Sequence, residues 1–178
     1  KYDWQFATNF TDEKFLKKAK KAGLEPAAAS LLYQRGVQTE EALQEFLEPS
    51  LDQLHDPYDL HDMERAVERI RAAIENYEQI LIYGDYDADG MTSASIVKEA
   101  LEQLGAECQV YLPNRFTDGY GPNSSVYKYF IENQGISLII TVDNGVAGLE
   151  AIELAQSLGV DVIVTDHHSM PEELPNAY

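Results

Sequence analysis

Carboxylate and imidazole side chains gather at three places between residues 85 and 168. These places hold five carboxylates and two histidines: Asp85, Asp87, Asp89, Asp143, Asp166, His167 and His168. So many acids at one site would repel one another and raise their own pKa values unless cations neutralised them. The pattern therefore predicts a site for a pair of divalent cations, provided that the fold brings the three places together.

The mixture of oxygen and imidazole ligands indicates which cation to expect. Mn²⁺ accepts both, whereas Ca²⁺ prefers oxygen alone and zinc more often takes Cys or several His. We therefore expect two Mn²⁺ (or Mg²⁺) ions, which at about 3.5–4 Å separation can clamp a phosphodiester and activate water. Asp85-x-Asp87-x-Asp89-Gly also resembles an EF-hand loop, but Ile96 stands where that loop requires Glu.

Candidate phosphate-binding groups lie near these acids. Thr92 and Ser93 fall where a helix is predicted to open, and its free backbone N–H groups can receive a phosphate oxygen. Arg115, beside Asn114, can bind a phosphate through two parallel hydrogen bonds. The alternative for Arg115 is a salt bridge to one of the many acids. Tyr120 can stack on a base or pack under its own loop.

Short apolar segments alternating with helical patterns position these residues. Strands are predicted at 79–83, 107–112, 137–142 and 160–165, and helices near 92–104, 126–133 and 149–158. The alternation predicts an α/β fold, a parallel sheet with helices on both faces. Parallel strands end at one edge, so topology alone would gather the acids there. Singly, Asp143 and Asp166 can also be turn formers or helix caps, but three strand ends repeat the pattern.

The first 78 residues are predicted to form a helical N-terminal region with an acidic, proline-containing connector. Helices are predicted at 12–22 after a Thr11 cap, at 27–34, from Thr39, and at 62–76. We expect this region at 1–78 and the main domain at 79–178, truncated at its C-terminal end. Because the chain starts at Lys1 and stops ten residues after His168, we expect a piece of a longer protein.

The charge balance restricts how the chain can hold a polyanion. It has 13 Lys and Arg against 31 Asp and Glu, a formal charge of −18. Attraction to nucleic acid must therefore come from bound metal, a few local cations, or parts of the protein outside this sequence. Cys108 is the only cysteine, which excludes an internal disulfide. With no apolar run of about 20 residues and no signal-peptide core, we expect a cytoplasmic protein without membrane contact.

Four motifs in order resemble the DHH phosphoesterase superfamily. They are YGDYDADG (83–90), LPNRFTDGYG (112–121), TVDNG (141–145) and Asp166-His167-His168. The resemblance covers residues from about 45 to 178 and implies the Rossmann-like domain of that superfamily. It is strongest to the superfamily's exonucleases, because Tyr83 stands where the pyrophosphatase-type members carry His.

The resemblance also implies a ligand for each metal. Asp87 would bind one ion, Asp89 and His167 the other, and Asp143 would bridge the pair. Asp85 would fill the place left by the absent His.

The remaining family positions concern the substrate. Asp166 would hold His167 in orientation, and His168 would face the scissile phosphate. Asn114 stands where many relatives have His. The family needs a further Asp and a second domain, neither of which fits after His168, so this piece alone is expected to be weak or inactive.

The function that the resemblance implies is 5′→3′ exonuclease digestion of single-stranded DNA to mononucleotides, in recombination and repair. The expected partners are single-stranded DNA, a helicase and single-strand-binding protein. Two alternatives stay open: a phosphoesterase for short oligonucleotides or cyclic dinucleotides, and a replication scaffold that has lost catalysis.

Overall fold

A computed structural model of the chain describes residues 12–178, so the predicted cap at Thr11 lies outside the described residues. The chain forms two compact units, one ending at Asp56 and one running from Pro57 to Tyr178. No helix in the described part is long and apolar enough to cross a membrane.

The first unit is a small helical cluster. It contains α1 (Glu13–Lys21), α2 (Pro26–Gln34) and α3 (Glu40–Leu47), followed by a 3₁₀ turn at Leu51–Gln53. Its core consists of Phe15, Ala19, Ala29 and Leu43. As predicted, Thr39 begins α3, and its hydroxyl accepts the Ala42 N–H at 3.1 Å.

The second unit is an α/β domain, which confirms the predicted fold class. After a 3₁₀ turn at Pro57–Asp59, its elements are α4 (Met63–Glu75), β1 (Gln79–Tyr83), α5 (Ala88–Gln103), β2 (Glu107–Tyr111), α6 (Ser124–Gln134), β3 (Ile136–Val142), α7 (Leu149–Ser157) and β4 (Asp161–Thr165). All neighbouring strands are parallel, in the order β2-β1-β3-β4.

Helices cover both faces of the sheet. Because side chains alternate along a strand, Leu81 and Ile139 face α6 and α7 in one apolar cluster. Ile80 and Ile140 face α4 and α5 in the other. Burial on both faces explains why the strands are apolar runs rather than alternating ones.

Helix α4 belongs to the second unit, whereas the sequence grouped it with the N-terminal region. Its Ala73 is fully buried in the cluster beneath the sheet. Its Arg69 donates to Glu78 at 2.7 Å and to Asp161 at 2.6 Å, joining the helix to the chain before β1 and to the start of β4. These contacts fasten α4 to the sheet at the edge away from the predicted ligands.

Candidate metal centre

The strand order creates a crevice at the carboxyl end of the sheet. From β1 the chain crosses to β2 on one side, and β3 then pairs with β1 on the other. Open parallel sheets bind ligands at such a switch point. The acids after β1 and after β3 therefore lie next to one another, as the topology predicts.

The loop after β1 holds Asp85 and Asp87 at this crevice. Asp85 is buried, and its carboxylate accepts the Tyr86 N–H at 2.7 Å. Asp87 caps α5, where its Oδ1 accepts the N–H groups of Asp89 and Gly90 at 3.0 and 3.1 Å. The cap makes α5 begin at Ala88, so the helix start predicted near residue 92 was wrong by about one turn.

Asp143 occupies the crevice from the β3 side in a left-handed backbone conformation, with φ of 62°. Its Oδ1 lies 2.9 Å from Nε2 of His167. Its Oδ2 is buried and has no hydrogen-bond partner among the described residues. Burial raises the pKa of this carboxyl; the His167 bond lowers it and the neighbouring Asp87 raises it.

These donors fit a divalent cation. Candidate ligand atoms of Asp85, Asp87 and Asp143 all lie within 4.8 Å of one another, and so do those of Asp143, His167 and His168. Asp143 belongs to both groups, and its unpartnered oxygen is the kind of buried charge that a cation would stabilise. Asp89 lies outside both groups but lines the same cleft, about 360 Å³ in volume, with Asp143 and His167.

Asp166 contacts a different histidine from the one predicted. Its Oδ1 accepts from the backbone N–H of His168 at 2.9 Å and lies 2.8 Å from Nδ1 of the same residue. Its Oδ2 accepts the Val146 N–H at 3.0 Å. The prediction that Asp166 orients His167 is therefore wrong in this structure, because its hydrogen bonds are to His168 and to the loop after β3.

The Asp166–His168 contact is charge-assisted. Burial alone would raise the pKa of Asp166, but hydrogen bonds from His168 and Val146 outweigh it and lower that pKa. The same bond raises the pKa of His168. An ionised Asp166 can only accept, so Nδ1 of His168 carries the proton and donates it.

The predicted phosphate-binding residues are brought only partly together. Ser93 lines the cleft. The Thr92 hydroxyl is 2.7 Å from the Ala88 carbonyl, and its backbone lies inside α5 rather than at its open end. Arg115 is exposed, with its guanidinium 5.1 Å from the Tyr86 ring. Asn114 uses its side-chain oxygen to accept the Phe116 N–H at 2.9 Å, as a turn former does.

Two further residues shape the centre: Asn144, to which the sequence assigned no role, and Tyr120, for which it offered base stacking or packing under its own loop. Asn144 is fully buried, and its amide donates to the carbonyls of Tyr83 at 3.2 Å and Val142 at 3.0 Å, which ties the ends of β1 and β3 together. Tyr120 has its hydroxyl 3.2 Å from Nδ1 of His168. Burial followed by the charges of Asp166, Asp85 and Asp143 raises the pKa of Tyr120 to about 12.

The fold and the cluster define a Rossmann-like α/β domain with a candidate divalent-metal centre at its switch point. Residues 79–178 match the N-terminal domain of the DHH family. The chain belongs to that family, and within it resembles the RecJ exonucleases.

The relatives carry the same description. "Single-stranded-DNA-specific exonuclease RecJ" of Bacillus subtilis is 46% identical over 151 residues, which are 85% of this chain and 19% of that protein. The protein of the same name from Escherichia coli is 39% identical over 158 residues, 88% of this chain and 26% of that one. Both relatives are named as exonucleases specific for single-stranded DNA.

Solved structures give the same result. A crystal structure of RecJ bound to manganese has a TM-score of 0.62 at 31% identity and covers 66% of this chain and 30% of that one. RecJ from Thermus thermophilus with Mn²⁺ has a TM-score of 0.64 at 26% identity, covering 94% and 23%. The same protein with Mg²⁺ has a TM-score of 0.50 at 26% identity, covering 89% and 19%. These relatives bind the metals that the sequence predicted.

The chain corresponds to only part of these proteins. It spans 19–26% of the length of the curated RecJ relatives that it matches. The activity of a whole exonuclease is therefore a matter of proposal for this chain.

Proposed function

We propose that this chain supplies the metal-binding part of a nuclease that hydrolyses phosphodiester bonds in single-stranded DNA. The proposal depends mainly on the position of Asp143. Its carboxylate belongs to both groups of candidate ligands, and one of its oxygens is buried without a partner among the described residues. The names of the similar proteins supply the substrate.

The proposed metal ligands are Asp85, Asp87, Asp89, Asp143 and His167. Two divalent ions held by them would supply Lewis acidity and an activated water to the phosphodiester. The chain's own contribution is to hold the carboxylates in place before metal arrives. The α5 cap fixes Asp87, the strained turn fixes Asp143, and Asn144 keeps the two strand ends together.

His168 is proposed to stabilise the charge of the scissile phosphate, and Asp166 to position it. Asp166 accepts a hydrogen bond from Nδ1–H, so Nε2 is the ring nitrogen left to face a substrate. The His168 side chain is 43% exposed, while that of Asp166 is 1% exposed. A buried acid that orients an accessible imidazole is suited to act on a group arriving from solvent.

Arg115, Asn114, Thr92 and Ser93 are proposed to bind substrate phosphate, although their positions support the proposal unequally. Ser93 faces the cleft, and Arg115 is exposed with no ion-pair partner among residues 12–178. An unpaired guanidinium can bind phosphate through two hydrogen bonds. The hydroxyl of Thr92 and the side-chain oxygen of Asn114 already form hydrogen bonds within the chain. We therefore expect these two residues to contribute less to phosphate binding.

The polarity, the product, the cellular role and the partners that we propose are taken from the family resemblance. We propose 5′→3′ digestion to mononucleotides in recombination and repair, with helicase and single-strand-binding protein as partners. A cytoplasmic location stays a prediction.

The test compares substrates in the full-length protein. A long 5′-labelled single strand, a dinucleotide and a cyclic dinucleotide are incubated with Mn²⁺ and, as a control, with EDTA. Rapid release of mononucleotides from the long strand supports the proposal, whereas preference for either short substrate would favour the second type of phosphoesterase. A protein that cleaves none of them with Mn²⁺ would fit the scaffold alternative.

Asp143→Asn in the same protein tests the shared ligand. It should abolish hydrolysis, because it removes the carboxylate common to both groups. Retained hydrolysis would contradict the two-metal model.

A further inference from the structure

Basic residues are concentrated in one helix of an otherwise acidic protein. Five of the chain's 13 Lys and Arg residues lie within the nine residues of α1: Lys14, Lys17, Lys18, Lys20 and Lys21. All five are exposed. The formal charge of the whole chain is −18, so this helix is opposite in sign to the chain as a whole.

Four of these lysines share one side of α1. Lys14, Lys17, Lys18 and Lys21 follow the i, i+3, i+4, i+7 spacing that places residues on one face of a helix. We call them the α1 lysine face. At 1.5 Å per residue it is about 10 Å long. Lys18 and Lys21 lie in the last turn, where positive charge favours the helix, whereas Lys14 and Lys17 lie before it and repel the other lysines at this spacing.

The opposite side of α1 is already used for packing. Phe15 is 3% exposed and Ala19 is fully buried in the core of the first unit. The helix therefore has no free apolar side with which to enter a membrane, as an interfacial helix requires. This arrangement favours a soluble polyanion over a lipid surface.

Most of the lysine face has no acidic partner. Lys18 forms an ion pair with Glu40 at 2.7 Å, and that hydrogen bond raises the pKa of Lys18. Among residues 12–178, the ammonium groups of Lys14, Lys17 and Lys21 have no carboxylate within 4.0 Å. Three unpaired cations in a row complement the phosphates of a nucleic-acid strand.

We propose that the α1 lysine face binds the phosphate backbone of single-stranded DNA. The inference rests on the proposed function for the identity of the polyanion. Contacts of this kind carry no sequence information, and they would offset the repulsion between DNA and the acidic chain. The face is a binding surface separate from the metal ligands, since none of its residues is among them.

Removing lysines from this face should reduce the salt dependence of DNA binding. Each phosphate neutralised on a single strand contributes a slope of about −0.7 to log K against log salt. Removing two lysines should therefore make the slope less negative by about 1.4, and should weaken binding at low salt more than at high salt.

The experiment measures binding of a fluorescent oligo-dT to the 178-residue chain by anisotropy over a range of KCl concentrations. EDTA is present throughout, so the metal centre does not contribute. Lys14→Gln with Lys17→Gln is compared with Lys98→Gln with Lys128→Gln, which removes the same charge from the second unit. Far-ultraviolet circular dichroism checks that both variants are folded.

The proposal predicts that only the α1 variant loses binding and salt slope. The proposal is overturned if both variants lose the same affinity for oligo-dT, or if the unmodified chain does not bind oligo-dT at low salt. It is also overturned if the chain binds phosphatidylserine vesicles through α1 as strongly as it binds oligo-dT. Mn²⁺ affinity should be unchanged in the α1 variant. A failure of the proposed function would appear differently, as absent Mn²⁺-dependent hydrolysis by the full-length protein while oligo-dT binding by the chain in EDTA persists.

Discussion

Gly90 allows the first turn of α5 to lie against the backbone of Asp85. A methyl group built at Gly90 would sit 2.5 Å from both Cα and the carbonyl oxygen of Asp85, and would also meet its nitrogen. Ordinary contacts begin near 3.4 Å. All three neighbours are backbone atoms, so no side chain can rotate away. Gly90→Ala should push the helix start and the Asp85 loop apart by about 1 Å.

Two opposing terms set the size of the effect. Alanine in place of glycine inside a helix is favourable by about 1 kcal/mol. Overpacking a well-filled site costs about 1–3 kcal/mol, occasionally more, and contact with rigid backbone favours the upper end. We expect Gly90→Ala to lower the free energy of unfolding by about 2 kcal/mol. Because Asp85 and Asp87 flank this contact, Mn²⁺ affinity should fall at least about tenfold, equal to about 1.4 kcal/mol.

The assays are urea unfolding followed by circular dichroism and Mn²⁺ titration by calorimetry. Gly159→Ala is the control, because Gly159 has a φ of +80° and nothing within 4 Å of the added methyl group. Its cost is backbone strain of about 1–2 kcal/mol, with unchanged Mn²⁺ affinity. If Gly90→Ala binds Mn²⁺ as the unmodified chain does, the close approach of α5 does not hold the acids in place.

Three further substitutions change Asp143, Arg115 and Arg69. Asp143→Asn should abolish Mn²⁺ binding yet raise the urea midpoint of the metal-free chain at neutral pH, because burial raises the pKa of this carboxyl and disfavours its charge. Arg115→Ala should weaken DNA binding in the full-length protein while Mn²⁺ affinity stays nearly unchanged. Arg69→Met should lower the free energy of unfolding by about 2 kcal/mol at pH 7, a value between those for exposed and buried ion pairs. This loss of stability should become smaller below about pH 4.5.

The pH dependence of Arg69→Met follows from Glu78. Hydrogen bonds from Arg69 lower the pKa of Glu78 below its usual value of 4.5, although burial opposes them. A lowered folded-state pKa stabilises the protein above the unfolded value, and this contribution is lost as pH falls through the folded value. A pH-independent loss would contradict the role of Glu78.

The other two predictions have their own contrary outcomes. Reduced stability of metal-free Asp143→Asn would mean that the carboxylate supports the fold rather than strains it. A large loss of Mn²⁺ binding in Arg115→Ala would give Arg115 a structural role.

The positions of the strands and their acids could be predicted from the sequence. Residues 79–83 and 137–142 are apolar runs of strand length because both faces of the sheet are covered, and this burial is visible in the sequence itself. Parallel topology then requires that Asp85, Asp87 and Asp143 meet at one edge. No knowledge of side-chain packing was needed for that step.

Contacts that depend on loop geometry could not be predicted. Tyr120 and His168 are 48 residues apart and meet only because of the path of the loop after β2. The choice of Asp166 between two adjacent histidines depends on side-chain rotamers. The start of α5 was missed because Asp87 was interpreted only as a ligand, although its other role as a helix cap is an equally ordinary property of Asp.

If the strand ends form a metal centre, a Mn²⁺ titration of the chain at neutral pH should detect it. The titration is run beside Asp89→Ala, a change at the cleft, and Glu99→Ala, a control that removes an exposed acid from the same helix. We expect saturable binding of one or two ions that weakens in Asp89→Ala and not in Glu99→Ala. Absent binding, or equal weakening in both variants, would contradict it.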